Sequence, residues 1–347
     1  MSQQLDPRIA VVGVGLVGKR HAQIAASRNA LTAIADPSAS ARDLAHDLGV
    51  PVYDEVAALL AAQDPDGIIV ATPNQRHEED GLACIEAGKP VLIEKPLAGD
   101  LAGAENLVGL ARQHSVPLLV GHHRRYNPKI AAAKKQIQSG ALGRIVAVNA
   151  TCWLYKPDSY FDPSWRRSPG AGPVFINLIH DIDLIRHLCG EIVSVQAIES
   201  AAIRGFDVED TAGALLHFAN GAIGTMTVSD TIVAPWSWEL TAAENPVYPA
   251  TGAFSYAIGG TRGSLSVPDM TYWTNRGTPG WHEPLESVPL EAAAADPLER
   301  QMDHFADVVT GRSPPWVSGL DGLMALRVVA AIKDAACSGV SVDIPQR

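Results

Sequence analysis

VVGVGLVGKRH, residues 11–21, restricts the possible folds more than any other stretch of the chain. Gly13, Gly15 and Gly18 form a GxGxxG pattern directly after a short β-branched run and at the start of a helical one. The first glycine permits a tight turn, the second lets the backbone approach a pyrophosphate, and the third lets the helix pack closely on the strand, with helix N-terminal amides facing the phosphates. Leu16 and Val17 lie inside the same loop and are read with it as cofactor-binding positions. Asp36 ends the next β-branched run, where a carboxylate accepts hydrogen bonds from adenosine ribose hydroxyls and repels a 2′-phosphate. A glycine turn and an aspartate capping ahead of Pro37 would explain the parts separately, but not their joint spacing. The expectation is a dinucleotide site that takes NAD, with NADP disfavoured; Arg42 is the nearby side chain that would accommodate a 2′-phosphate.

A chain of 347 residues exceeds the usual size of one hydrophobic core and suggests two domains. Residues 1–123 alternate apolar β-branched runs (Ile9–Val12, Leu31–Ala35, Gly67–Ala71, Val91–Ile93, Leu118–Val120) with Ala-rich helical segments, one of them preceded by Asp54 as its N-cap. That is the pattern of an α/β Rossmann domain, a doubly wound parallel sheet that binds ligands at the carboxyl ends of its strands. Residues 124–347 read differently: RIVAVNATCWL, AGALLHFANGAIGTMTVSD and GSLSVPDMTYW alternate and turn as antiparallel strands do, and helical stretches at about 296–337 close the chain. The net charge of −11, with no Lys/Arg run, argues against nucleic acid or an anionic membrane as partner. Cys84, Cys152, Cys189 and Cys337 have no metal-type spacing, so reduced thiols in a cytoplasmic protein are expected, with no disulfide and no metal site. The N-terminus passes directly into the glycine motif without a leader-like segment.

Two further strand ends should open onto the cofactor crevice. One is Ala71-Thr72-Pro73-Asn74, and the other is Glu94-Lys95-Pro96. An amine at the carboxyl end of a central strand, beside a bound nicotinamide, can donate to a substrate oxygen and stabilise negative charge developing there; that is the role read for Lys95. Glu94, on the opposite face by strand alternation, reads as an anchor. A surface charge pair at a proline turn is the plain structural alternative. His77 is grouped with the cofactor loops, although His77 and His21 have helix capping or packing as their ordinary roles.

Taken in order, GVGLVGKRH, ATPNQRH, EKPLA, GHHRRYNP and GPVFINLIHDIDLIRHLCG resemble the glucose-fructose oxidoreductase / inositol dehydrogenase (Gfo/Idh/MocA) family over almost the whole chain. The resemblance implies an N-terminal Rossmann domain, an α+β C-terminal domain built on a large, mostly antiparallel sheet, and closing helices that pack back toward the first domain. It also implies nicotinamide-dependent oxidation or reduction of polyols, sugars or related alcohols. In that family the EKP lysine is catalytic and often precedes a cis proline, which carries over to Lys95 and Pro96.

In IHDIDLIRHL, helical spacing places Asn177, His180 and Leu184 on adjoining turns, with Asp183 one turn beyond His180. With a side-chain pKa near neutral, His180 can take the proton of a substrate hydroxyl as hydride leaves. A core histidine satisfied by Asp183 or a carbonyl is the alternative. Polyol-oxidising relatives commonly carry aspartate four residues before this histidine; here the position is Ile176, and Asn177 is the nearest polar group. An amide binds a hydroxyl but does not balance an imidazolium. Arg125, Tyr126 and Asn127 read as cleft residues or as an interdomain salt bridge. The resemblance places Trp165 and Arg166 near nicotinamide or substrate, and Tyr160 joins the substrate-binding set. Tyr155, Trp273, Trp281 and His282 offer stacking surfaces that equally suit sheet packing or a subunit contact.

The expected activity is an NAD(P)-dependent dehydrogenase or reductase acting on a secondary alcohol or ketone, with a homodimer or homotetramer as the assembly. The two rivals are a redox-neutral enzyme that retains its NAD through elimination or hydrolysis, and a non-catalytic NAD or sugar sensor.

Overall fold

The computed structural model describes residues 7–346. The chain divides into two compact units: residues through His123 together with Asp296–Leu326, and Arg124–Ala295 together with the residues from Arg327.

In the first unit, β1 (Ile9–Val12), β2 (Leu31–Ala35), β3 (Val52–Tyr53), β4 (Gly67–Val70), β5 (Val91–Ile93) and β6 (Leu118–Val120) form a parallel sheet in the order β3-β2-β1-β4-β5-β6. Its helices are α1 (Leu16–Ser27), α2 (Ala39–Leu48), α3 (Val56–Ala62), α4 (His77–Glu86) and α5 (Leu101–His114). The sequence reading missed β3, whose pair of residues is too short to show periodicity, and placed the end of β4 one residue late. Asp54 does not cap α3: Glu55 holds that position without a side-chain cap bond, and Asp54 accepts from Arg42 at 2.8 Å instead. The strand ends are in register, Val12 beside Ala35 and Val70, Val70 beside Ile93, and Ile93 beside Val120. Because the strands are parallel, the loops starting at Gly13, Asp36, Ala71, Glu94 and Gly121 leave along one edge. Ile9, Val11, Ile34, Ile69, Leu92 and Leu119 form the core with Ala22 and Ala25 of α1, whose small side chains allow close approach to the sheet.

The second unit holds α6 (Pro128–Gln138), β7 (Ile145–Trp153), a π-helical turn (Val174–Leu178) that runs directly into α7 (Ile179–Cys189), β8 (Ile192–Ser200), β9 (Thr211–Phe218) and β10 (Ile223–Ser229). After these come α8 (Trp238–Thr241), β11 (Tyr256–Gly260), β12 (Gly263–Val267), β13 (Thr271–Thr274) and β14 (Glu286–Pro289). The chain next returns to the first unit as α9 (Pro297–Val309), whose Met302, Phe305 and Val308 complete that unit's core. Full burial of a side chain such as Phe305 stabilises by about 1.5–3 kcal/mol. Helix α10 (Gly319–Ser338) begins in the first unit and ends in the second, followed by β15 (Val342–Asp343).

The second sheet has nine strands in the order β14-β13-β12-β11-β7-β10-β9-β8-β15, antiparallel except for the β7–β10 pair. Alternation along β10 buries Gly224, Met226 and Val228 and exposes Ile223, Thr225 and Thr227, as expected for a sheet with one covered face. Helix α7 packs against β7 and is buried along nearly its whole length. Among the described residues no helix is long and apolar enough to cross a membrane, and the four cysteines are free.

Candidate active site

The glycine loop has the stereochemistry read from its spacing. Gly13 lies at φ +81°, and a Cβ there would come within 2.6 Å of the Thr72 amide nitrogen. A Cβ on Gly18 would fall 1.9 Å from the Gly13 carbonyl oxygen, so the strand–helix approach requires glycine. Gly15 is different: nothing lies within 4 Å of where its Cβ would be. That opening sits at the N-cap of α1, where no side chain caps the helix and Leu16 is 93% exposed. An uncapped N-terminus with an open glycine cradle fits a pyrophosphate. Asp36 accepts from the Val14 and Ser38 amides, each at 2.8 Å. Burial alone would raise its carboxyl, but the Ser38 side chain first, and then these two amides, hold it below the usual carboxylate range. Arg42 is engaged by Asp54 and by the Pro37 carbonyl at 3.2 Å.

The β4 and β5 turns are tied together by a buried histidine. His77 Nδ1 lies 2.7 Å from the Pro96 carbonyl and Nε2 lies 2.8 Å from the Thr72 carbonyl. Both carbonyls accept from whichever ring nitrogen carries a proton, so the ring bridges the two loops, a tie between turns that spacing did not reveal. The Thr72 hydroxyl donates to Asp80 at 2.8 Å, and Asn74 opens a short 3-10 turn after Pro73. The Lys95–Pro96 peptide is cis. Glu94 points inward to His21, with Nε2 and Oε1 at 2.8 Å and both side chains buried. Burial would raise the Glu94 carboxyl; the bond to His21 and the charges of His21, His123 and Lys95 bring it down to about 2. Gly13–Gly18, Asp36, Thr72, Asn74, His77, Glu94 and Lys95 therefore lie together along the carboxyl edge of one sheet.

In the second unit His180 is buried in the first turn of α7. The π-helical turn before it corrects the spacing argument: the α-helical face read from residue intervals begins only at Ile179, because the preceding turn is wider. Asn177 lies in that turn, and its Oδ1 is shielded from solvent with no hydrogen bond among the described residues. Asp183 accepts twice from Arg125, at 2.8 and 2.6 Å, so Arg125 forms an ion pair inside this unit, and Tyr126 beside it is buried. Asn127 caps α6 by accepting from the Lys129 amide at 2.9 Å.

A buried polar network that the sequence reading missed surrounds Asp181. The Tyr256 hydroxyl donates to Asp181 Oδ1, Arg124 approaches the same oxygen at 3.5 Å, and Arg124 also donates to Glu239 at 2.6 Å. Burial pushes Asp181 up to about 6 against the pull of Arg124, with Glu239 adding to the rise. Only its place beside His180 could have drawn attention to it.

Arg166 lies 4.1 Å from the Tyr160 ring centre and 5.2 Å from that of Trp165, and donates to the Tyr160 carbonyl at 2.6 Å. Lys156 approaches Tyr160 at 4.9 Å, so one aromatic ring gathers two cations. Burial lowers the Lys156 ammonium, opposed by Asp230. Trp281 is 94% exposed, and Tyr155 and Trp273 are also exposed.

These features define an NAD-binding oxidoreductase fold. A family model described as oxidoreductase family, NAD-binding Rossmann fold, matches residues 7–122, and the GFO/IDH/MocA C-terminal domain matches residues 130–266. The chain belongs to the Gfo/Idh/MocA family and is an oxidoreductase of the dehydrogenase type. It is 32% identical over 228 residues to myo-inositol dehydrogenase Hyg17 of Streptomyces leeuwenhoekii, covering 63% of this chain and 68% of that one. It is 24% identical over 333 residues to the rhizopine catabolism protein MocA of Rhizobium meliloti, covering 93% of each. A levoglucosan dehydrogenase solved with NADH and levoglucosan shares the fold, with a TM-score of 0.81, 23% identity, and coverage of 99% of this chain and 100% of that one.

Proposed function

We propose that the protein transfers hydride between NAD and a secondary alcohol or ketone carbon of a polyol, sugar or related cyclic hydroxy compound. The observation that carries this reading is the register of the parallel sheet, which brings the Lys95 turn to the same edge as the glycine loop and Asp36. The likeness to a myo-inositol dehydrogenase supports the substrate class.

Gly13, Gly15, Gly18 and the first amides of α1 would hold the pyrophosphate, Asp36 the adenosine ribose, and Thr72, Pro73, Asn74 and the Lys95 turn the rest of the cofactor. Bound NAD supplies the hydride acceptor or donor. Lys95 donates a hydrogen bond to the substrate oxygen and stabilises charge developing on it. His180 takes the hydroxyl proton during oxidation and returns it during reduction. The orphaned Asn177 Oδ1 accepts from a second substrate hydroxyl, and Arg166 with Tyr160 lines the substrate side. The second unit supplies substrate-binding and subunit-contact surface. The outer face of its sheet exposes Ile198, Ile223 and Trp273, apolar area suited to a homodimer or homotetramer. Four free thiols accord with a cytoplasmic location.

The test is a panel of polyols, aldoses, sugar acids and cyclic alcohols with NAD and NADP, followed by NADH absorbance, on wild type, Lys95→Met and His180→Ala. Turnover with at least one compound is expected, falling roughly 10²- to 10⁴-fold in each variant while NADH still binds. Tight NADH binding with no turnover on any compound would overturn the reading.

A further inference from the structure

The helix that carries Asn177 and His180 starts without a local cap. Pro173 occupies its N-cap position and makes no side-chain cap bond. The first four amides of a helix need outside partners, and negative charge is favoured at that end. Here the partner comes from the distant β8–β9 connection: Glu209 Oε1 accepts from the Val174 amide at 3.1 Å. Glu209 is buried, and its other carboxylate oxygen accepts from Lys333 of α10 at 2.6 Å. Lys333 also donates to Glu199 at 2.7 Å. Burial would lower the Lys333 ammonium, but the two glutamates raise it, so the charge opposite Glu209 is maintained. The carboxylate also presses on the backbone just before the helix, since a Cβ at Gly172 would lie 2.1 Å from Glu209 Oε1. Any side chain at 172 would displace the cap.

We infer that Glu209, held by Lys333 and admitted by Gly172, is a positioning residue that fixes the first turn of the Val174–Cys189 helix and thereby sets where Asn177 and His180 stand. The inference rests on the role proposed above for His180. Its physical basis is that the π-helical turn begins at the capped amide, so the frame of every later residue follows from where that amide is held. Loss of the cap lets the first turn fray or shorten, and a displacement of about 1 Å at a reacting group costs roughly 100-fold in rate.

The experiment compares Glu209→Ala, Glu209→Gln and Lys333→Met with wild type by steady-state kinetics, NADH fluorescence titration and hydrogen exchange of the Val174–Leu178 amides. Gln keeps an oxygen for the Val174 amide; Ala does not. In Glu209→Ala, kcat should fall about 10- to 100-fold while the NADH Kd stays within about twofold, and the first-turn amides should exchange roughly tenfold faster. Glu209→Gln should restore kcat and protection to within about threefold of wild type, with Lys333→Met between the two. A Glu209→Ala protein that melts earlier yet keeps wild-type kcat and first-turn protection would overturn the inference, as would equal losses in Ala and Gln. If wild type turns over no alcohol, the reading of His180 fails; the exchange comparison then decides the cap by itself.

Discussion

His21 Nε2 lies 2.8 Å from Glu94 Oε1 inside the first unit, joining the glycine-motif helix to the strand end that presents Lys95. A buried polar contact of this kind is costly to break from one side, because the remaining partner stays desolvated. Glu94→Ala should destabilise by about 1–3 kcal/mol, and adding His21→Ala should recover part of that loss. With the Glu94 carboxyl depressed from 4.5 to about 2, its contribution is fully present above pH 4.5 and is lost as pH falls toward 2. Urea denaturation at pH 7 and pH 3 on the single and double variants measures both effects; an equal Glu94→Ala loss at the two pH values would contradict the assignment.

The three glycines of the motif should separate folding from cofactor approach. Gly18→Ala collides with backbone at 1.9 Å and should lower both Tm and NADH affinity. Gly15→Ala meets nothing within 4 Å in the protein itself. Its Tm should stay near wild type while NADH binding weakens at least about tenfold, because the added methyl would stand in the proposed pyrophosphate cradle. Melting curves with and without NADH distinguish the two.

Asp36 should set the choice between NAD and NADP. Removing its charge in Asp36→Ala relieves repulsion of a 2′-phosphate and gives up acceptance from the ribose, so the NADPH-to-NADH affinity ratio should rise by at least about tenfold. Parallel fluorescence titrations give the ratio; an unchanged value would remove Asp36 from the adenosine site.

Asp181 predicts the opposite pH trend from Glu94. Its carboxyl is raised by burial from 3.8 to about 6, so the folded chain holds this proton more tightly than the unfolded chain does. The stability it contributes is complete below about pH 4 and is lost as pH rises to about 6. Asp181→Asn keeps an oxygen for the Tyr256 hydroxyl and has no proton to lose. Between pH 4 and 7 wild type should lose on the order of 2 kcal/mol relative to this variant, read from denaturation midpoints across that range.

Where a role follows from neighbours in sequence, reading the chain was enough. The runs Ile9–Val12, Leu31–Ala35, Val91–Ile93 and Leu118–Val120 became strands with those bounds, since each is apolar and closed by a turn. Gly13 and Gly18 meet the backbone where the motif requires. The π-helical turn escaped because its residues are as compatible with an α-helix, and what distinguishes it is held from outside. His77 looked like a capping or packing residue; its bonds to Thr72 and Pro96 depend on two loops meeting.

The sequence by itself determined a parallel sheet with a dinucleotide loop, the acidic residue at the second strand end and the lysine at the fifth, because alternation, glycine stereochemistry and strand polarity act over a few residues. Only the tertiary structure decided that Asp181 receives Tyr256 from 75 residues away, that Asp183 receives Arg125 from 58 residues away, and that Glu209 starts the helix carrying His180. Buried polar groups must find partners wherever the packed chain offers them, and that search leaves no periodic trace in the sequence.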